Sequence, residues 1–190
     1  MAVNVSANVS IGALASQPDS LNFLSPLGFR LTINRIPSVI YYCQAVTLPE
    51  MSIDELETQT PFVALKNPGS KLRFGPVVIR FRVNENMRNY IEIYNWLHAL
   101  GRPDSFQQTL DWAKSQDSPK TSKTSEVINQ LSDGALSVLT SANNPSIRIK
   151  FLDMFPTSLT ALEFDATLTD VEYLEASVQF AYRKYEIEVL

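Results

Sequence analysis

The stretch from Leu174 to Ile187, LEASVQFAYRKYEI, constrains the fold more than any other. Leu174, Ala176, Val178, Phe180 and Tyr182 fall on one side of an extended chain, while Glu175, Ser177, Gln179 and Arg183 fall on the other. A period of two marks a strand with one dry face and one wet face. The run exceeds the five or six residues of an ordinary strand, so the wet face of a long strand needs a place to go.

Other segments repeat the pattern. Phe29, Leu31 and Ile33 alternate with Arg30, Thr32 and Asn34, and Val77, Ile79, Phe81 and Val83 share a face opposite Arg80 and Arg82. The run Val39–Leu48 is apolar on both faces and reads as a covered strand ended by Pro49. Met51–Gln59 reads as a third, more polar strand, Asn67-Pro68-Gly69 as a turn, and Gly75-Pro76 as a bend. Further strands are expected at Ala135–Ser141, Ile147–Leu152 and Ser158–Asp165. One segment changes period: Met87, Tyr90, Ile91, Tyr94, Leu97 and Leu100 follow helical spacing, with Asn84 or Asn86 to cap the start and Gly101 and Pro103 to end it. The expected fold is mainly β (α+β): an antiparallel β-sandwich or barrel of seven or eight strands, with one main helix packed on it.

The 190 residues suit one domain, and 45% apolar residues suffice for a core. Residues 1–25 read as a polar N-terminal arm, residues 26–190 as the β domain, and residues 103–133 as a long insertion loop. The sequence near Ala13-Leu14-Ala15 lacks the basic flank of a signal peptide, and Asn4-Val5-Ser6 and Asn8-Val9-Ser10 read as chance matches to the glycosylation pattern.

Chemistry is sparse. There is one histidine, His98, and one cysteine, Cys43, so a thiolate metal cluster or an intrachain disulfide has no residues to use. His98 sits on the shoulder of the helix face and reads as a packing residue, and Cys43 reads as a small core residue. No calcium-loop pattern is present, and Gly69-Ser70-Lys71 lacks the first glycine of a phosphate loop, Leu65 standing there instead. Glu163 and Asp165, two apart on an expected strand, are the one carboxylate pair that could serve as acid and base; this leaves a carboxylate hydrolase open. A monomeric binding module on a β-sandwich is also open. The net charge of −4 and the lack of clustered cations disfavour a tight grip on a nucleic acid backbone, and Trp112 has no basic groove beside it on which to stack bases. No apolar run is long enough for a membrane helix. No catalytic, cofactor-binding or metal residue is assigned.

The segment Ile149–Ile187, with Phe155-Pro156-Thr157 as an aromatic-Pro-Thr turn before a short strand and Tyr185-Glu186 near its end, resembles the close of the tail tube proteins of contractile-tailed, T-even-type bacteriophages. Phe29–Ile53 resembles that family's opening strand pair, with Cys43, Ala45, Leu48 and Pro49 at its end, and Asn84–Trp96 resembles its single helix. The collinear match spans residues 27 to 187; the arm and the enlarged loop depart from it. The resemblance implies a non-enzymatic virion protein, assembled in the host cytoplasm, whose hexameric rings pool their long strands and stack into a tube. DNA would pass through it without being bound. The implied partners are further copies of the chain and the sheath, baseplate hub and tape measure proteins. A baseplate tube initiator or a cap has the same fold, as do the tube units of other contractile injection systems. On this reading Phe23, Leu24, Phe106, Leu110, Trp112, Glu175, Ser177 and Gln179 contact neighbouring subunits, and Arg80, Arg82, Arg183 and Lys184 are paired or turned from the lumen.

Overall fold

A computed structural model describes residues 23–101, 130–167 and 173–190. The element order is β1 (Phe29–Ile33), α1 (Pro37–Tyr41), β2 (Cys43–Thr47), β3 (Met51–Gln59), β4 (Ala64–Phe74), β5 (Val77–Arg82), α2 (Arg88–Gly101), β6 (Ser132–Leu139), β7 (Pro145–Leu159), β8 (Glu175–Ala181) and β9 (Lys184–Val189). All strand pairings are antiparallel. The mainly β, helix-covered architecture expected from the alternation is the one observed, with nine strands and two helices among the described residues.

β7 organises the molecule. Its first part, Ile147 to Leu152, lies between β6 and β9, and β6 pairs in turn with β1. Its last part, Phe155 to Leu159, pairs with β8, followed by β5 and β2. One strand thus belongs to two layers. The crossing is at Asp153, which takes the left-handed conformation (φ 57°). β8 and β9 break opposite it: Arg183 N donates to Leu152 O at 3.0 Å, and Arg183 Nε lies 3.1 Å from Asp153 Oδ2. A strand turns a corner between packed sheets by such a local irregularity.

The dry faces of both layers meet in one core. Leu31, Ile33, Ile149 and Phe151 come from the first layer, and Val77, Ile79, Phe81, Ala176, Val178 and Phe180 from the second. The helices add Val39, Ile93 and Trp96, whose ring centroid lies 5.8 Å from that of Phe180. The dry faces read from the alternation of β1, β5 and β8 are therefore the buried ones.

Several segment readings are corrected. Val39–Leu48 is not one strand: Pro37, with its fixed φ, starts the five-residue α1, and β2 begins only at Cys43. Asn67-Pro68-Gly69 is not a turn but lies within β4, where a register shift opposite Ile53 and Glu55 accommodates the proline; the chain reverses between Gln59 and Ala64. Phe155-Pro156-Thr157 is likewise inside β7, at another register shift, and residues 160–165 form no strand. The long terminal strand is two strands. β6 begins at Ser132, inside the expected 103–133 loop, whose residues 103–129 lie outside the described ones.

The helix is rotated from the expected face. α2 buries Asn89, Ile93, Trp96 and Ala99, while Ile91 and Tyr94 remain 45% and 48% exposed. Trp96 fixes the rotation, filling the core and donating from Nε1 to Gln130 O at 3.0 Å. Asn89, fully buried, supports it: Nδ2 donates to Arg82 O at 2.7 Å, and Oδ1 accepts from Asn84 N and Tyr90 N. The start of α2 is thus organised by Asn89, not by a side-chain cap from Asn84 or Asn86.

Candidate functional site

The segment between β2 and β5 contributes nothing to the core. β3 and β4 pair only with each other, and every residue of β3 is exposed. Met51, Ile53, Leu56, Phe62, Val63, Leu65 and Leu72 are all more than half exposed, Phe62 at 98%. So many large apolar side chains exposed on one element point to a contact surface.

This arm is held at both ends. At its base Gly75 N donates to Glu50 O at 3.0 Å, and Phe74 packs edge-on to Tyr185, with ring centroids 5.4 Å apart, and against Tyr182 at 5.9 Å. At its tip the Thr60 hydroxyl donates to Val63 O and accepts from Val63 N at 3.2 Å, closing the turn that carries Phe62. Along its length Lys66 meets Glu55 at 2.9 Å and Arg73 meets Asp54 at 2.8 Å. Both pairs are solvated and add at most about 1 kcal/mol each.

A second feature lies on the exposed side of α2. Tyr90, Tyr94, Leu97 and His98 face Thr157, Ser158 and Leu159 at the end of β7 across a groove of about 530 Å³. Tyr94 Oη and His98 Nε2 are 2.8 Å apart, and Tyr90 Oη donates to Thr160 O at 3.2 Å. The groove exists because α2 is rotated to bury Trp96, which leaves Tyr94 facing outward.

The contact residues expected from the sequence are dispersed. Phe23 and Leu24 are exposed ahead of β1. Glu175, Ser177 and Gln179 share the wet face of β8, with Ser177 half-buried, its N donating to Thr160 Oγ1 at 2.8 Å. Phe106, Leu110 and Trp112 lie outside the described residues. The arm of β3 and β4 and the groove were not singled out from sequence; the signal available was a set of apolar residues, Ile53, Leu56, Phe62 and Leu65, on a segment without steady alternation.

The four cations flagged from sequence all have acidic neighbours. Arg80 and Arg82 lie 3.9 and 3.8 Å from the two oxygens of Glu175, Arg183 meets Asp153, and Lys184 meets Glu186. Hydrogen bonding and charge from Lys184, with Lys150 nearby, hold the Glu186 carboxyl below its ordinary range.

The groups considered for catalysis are arranged otherwise. Glu163 and Asp165 are exposed and not on a strand. The Asp165 carboxylate accepts from the hydroxyl and amide of Thr167, at 2.7 and 2.8 Å, which lowers its pKa, the usual geometry of a local turn. Burial pushes the Cys43 thiol up to about 11, unsuited to a nucleophile. Among the described residues no group of three or more His, Cys, Asp or Glu side chains could hold a metal ion, and no helix is long and apolar enough to cross a membrane.

No family model matches the sequence, and no curated protein does. Solved structures do. The chain superposes on the anti-feeding prophage cap, the AFP tube-terminating cap, with a TM-score of 0.57 at 14% identity, over 95% of this chain and 100% of that one. It superposes on a chain of the sheath–tube complex of the PVC extracellular contractile injection system, extended state, with a TM-score of 0.54 at 17% identity, over 90% of this chain and 94% of that one. For the PVC sheath/tube terminator in the extended state the TM-score is 0.53 at 18% identity, over 89% and 99%. From nearly end to end, the chain has the fold of these injection-system proteins.

Proposed function

We propose that the chain is a structural, non-enzymatic subunit of a contractile tail or injection particle, which assembles with copies of itself into rings that stack as the inner tube. The observation that carries this reading is the near-complete superposition on a tube-terminating cap and a sheath–tube complex. The arm of β3 and β4 supports it, since so much apolar surface on an isolated two-stranded element suits a subunit that gains stability in a polymer. In the finer form of the proposal the rings are hexameric, the particle is a phage virion assembled in the host cytoplasm, and the lumen passes DNA. The net charge of −4 and the paired arginines suit a wall that does not grip phosphate. Phe23, Leu24, Phe106, Leu110, Trp112, Glu175, Ser177 and Gln179 are the proposed subunit contacts, with sheath, baseplate hub and tape measure proteins as further partners.

A second reading, a cap or tube initiator present as one ring, is favoured by one observation: two of the superposing proteins are a terminating cap and a terminator, matched over 100% and 99% of their lengths. Negative-stain electron microscopy with sedimentation velocity on the purified full chain tests both. Rings are expected, and long stacks distinguish the tube subunit from the cap. A strict monomer up to high concentration refutes both.

A further inference from the structure

The tip of the arm and the groove beside α2 are complementary features of one chain that do not meet within it. The tip, Thr58 to Leu65 (TQTPFVAL), has no charged residue, is closed by the Thr60–Val63 hydrogen bonds, and holds Phe62 98% exposed. The groove walls, Tyr90, Tyr94, Leu97 and Leu159, are aromatic or aliphatic, and the other described lining residues are His98, Gly101, Thr157 and Ser158. We infer that Phe62 of one copy seats in the α2–β7 groove of a second copy, as a knob in a hole.

Three observations favour a second copy as the occupant. First, the turn that carries the knob is already closed by the Thr60–Val63 hydrogen bonds, which lowers the backbone entropy lost on docking, and an aromatic entering an apolar pocket is the usual centre of a tight contact. Second, about 530 Å³ is room for the Phe62 ring with a flanking aliphatic group such as Val63. Third, among the described residues neither side carries a carboxylate, lysine or arginine, so the contact leaves no such charge to be desolvated. Because knob and groove are different surfaces, each bound copy still offers one of each. Such a head-to-tail contact propagates or closes into a ring. The inference rests on the assembly reading above and names the residues that would carry it.

The test uses the full chain. Phe62→p-benzoylphenylalanine is irradiated in assembled protein and the products are mapped by mass spectrometry. Cross-links between copies are expected at Tyr94, Leu97 or residues 157–159; cross-links confined to the same chain or to any other surface overturn the inference. In parallel, Phe62→Asp and Ser158→Arg, both at exposed positions, are expected to keep the wild-type melting temperature and to weaken association about tenfold to a hundredfold, with Phe62→Trp retaining it. If the wild type assembles and both disruptive variants assemble equally well, the knob-in-groove contact is wrong while the assembly reading stands. If the wild type itself never associates, the assembly reading fails and takes the contact with it.

Discussion

Gly69→Ala isolates the arm from the rest of the molecule. The backbone of β4 approaches β3 so closely at Gly69 that an added Cβ would lie 2.3 Å from Asp54 O and 3.0 Å from its carbonyl carbon. An unstrained carbon–oxygen contact is about 3.3 Å or more, so the two strands must part by about 1 Å. Both contacts are backbone atoms, and no flexible side chain can yield. Forced overpacking costs about 1–3 kcal/mol. In the core such a sum is shared among many contacts, but β3 and β4 pair with no third strand and pack on the rest of the molecule at their base, through Phe74, and a two-stranded ribbon is only marginally stable in water. A cost of about 2 kcal/mol then lowers the ratio of paired to open ribbon roughly thirtyfold. Native-state hydrogen exchange reads this directly: the non-proline amides from Glu55 to Asn67, beyond the clash, should exchange faster in the variant, up to about thirtyfold where the wild type protects them that much, while Ile79 and Val178 keep their wild-type rates. Unchanged exchange in the arm would refute the close-approach argument. Equal acceleration at Ile79 and Val178 would refute the independence of arm and core.

Three further outcomes follow from the core, the corner and the titratable groups. Phe151→Ala removes a fully buried ring in contact with Tyr182 and Tyr185 and should cost about 3–5 kcal/mol, measured by urea denaturation; a loss below about 1 kcal/mol would mean the aromatic cluster is not packed as described. At the corner, Asp153→Val places a β-branched residue in the left-handed region and should cost about 1–3 kcal/mol, whereas Asp153→Asn, which tolerates that region and loses only a solvated ion pair, should stay within about 1 kcal/mol; equal effects would show that backbone conformation is not the constraint. Burial raises the Cys43 thiol to about 11 and, with a smaller contribution from Tyr185, the Tyr182 phenol to about 12, so the fold favours their neutral forms. Their stabilisation is fully present below about pH 9 and is lost as pH rises through 11 and 12, because the unfolded groups release their protons first. The urea midpoint should therefore fall over that window, and Cys43→Ala should flatten its lower part; a midpoint independent of pH from 9 to 12 would contradict both assignments.

What could be read from the sequence was whatever alternates against a filled core. β1, β5 and β8 show their dry faces because large apolar residues such as Ile33, Phe81 and Phe180 face mainly polar or charged neighbours across the strand, with only Val78 and the small Ala181 on the wet side. The helix was found but misrotated, since Ile91 and Tyr94 are as apolar as Ile93 and Trp96, and spacing alone cannot rank two adjacent stripes. The ranking comes from tertiary packing: Trp96 needs both a cavity beside Phe180 and an acceptor at Gln130 O. Breaks within strands were hidden for a related reason. Pro68 and Pro156 suggest turns, yet each sits at a register shift where the missing amide does no harm, while the true corner is made at Asp153 and Arg183, where a lone aspartate with no glycine or proline beside it is a weak turn signal.

The candidate site was hidden because its residues follow no clean period. Ile53, Leu56, Phe62 and Leu65 are scattered among polar residues in a segment that reads only as a more polar strand, and the pairing of β3 with β4 alone shows that they stay exposed among the described residues. Tyr94, by contrast, looks like core until Trp96 takes its place. Apolar residues left uncovered among the described ones occur here in two kinds, one at the tip of an arm, the other in a groove lined by a helix. A solvated monomer gains nothing from either, and both carry the cost of exposed apolar area. Selection for a lone soluble module would replace Phe62 and Leu65 with polar residues without disturbing a single core contact. Their presence, beside a core that is otherwise complete, is the physical reason to expect that the stable object contains more than one copy of this chain.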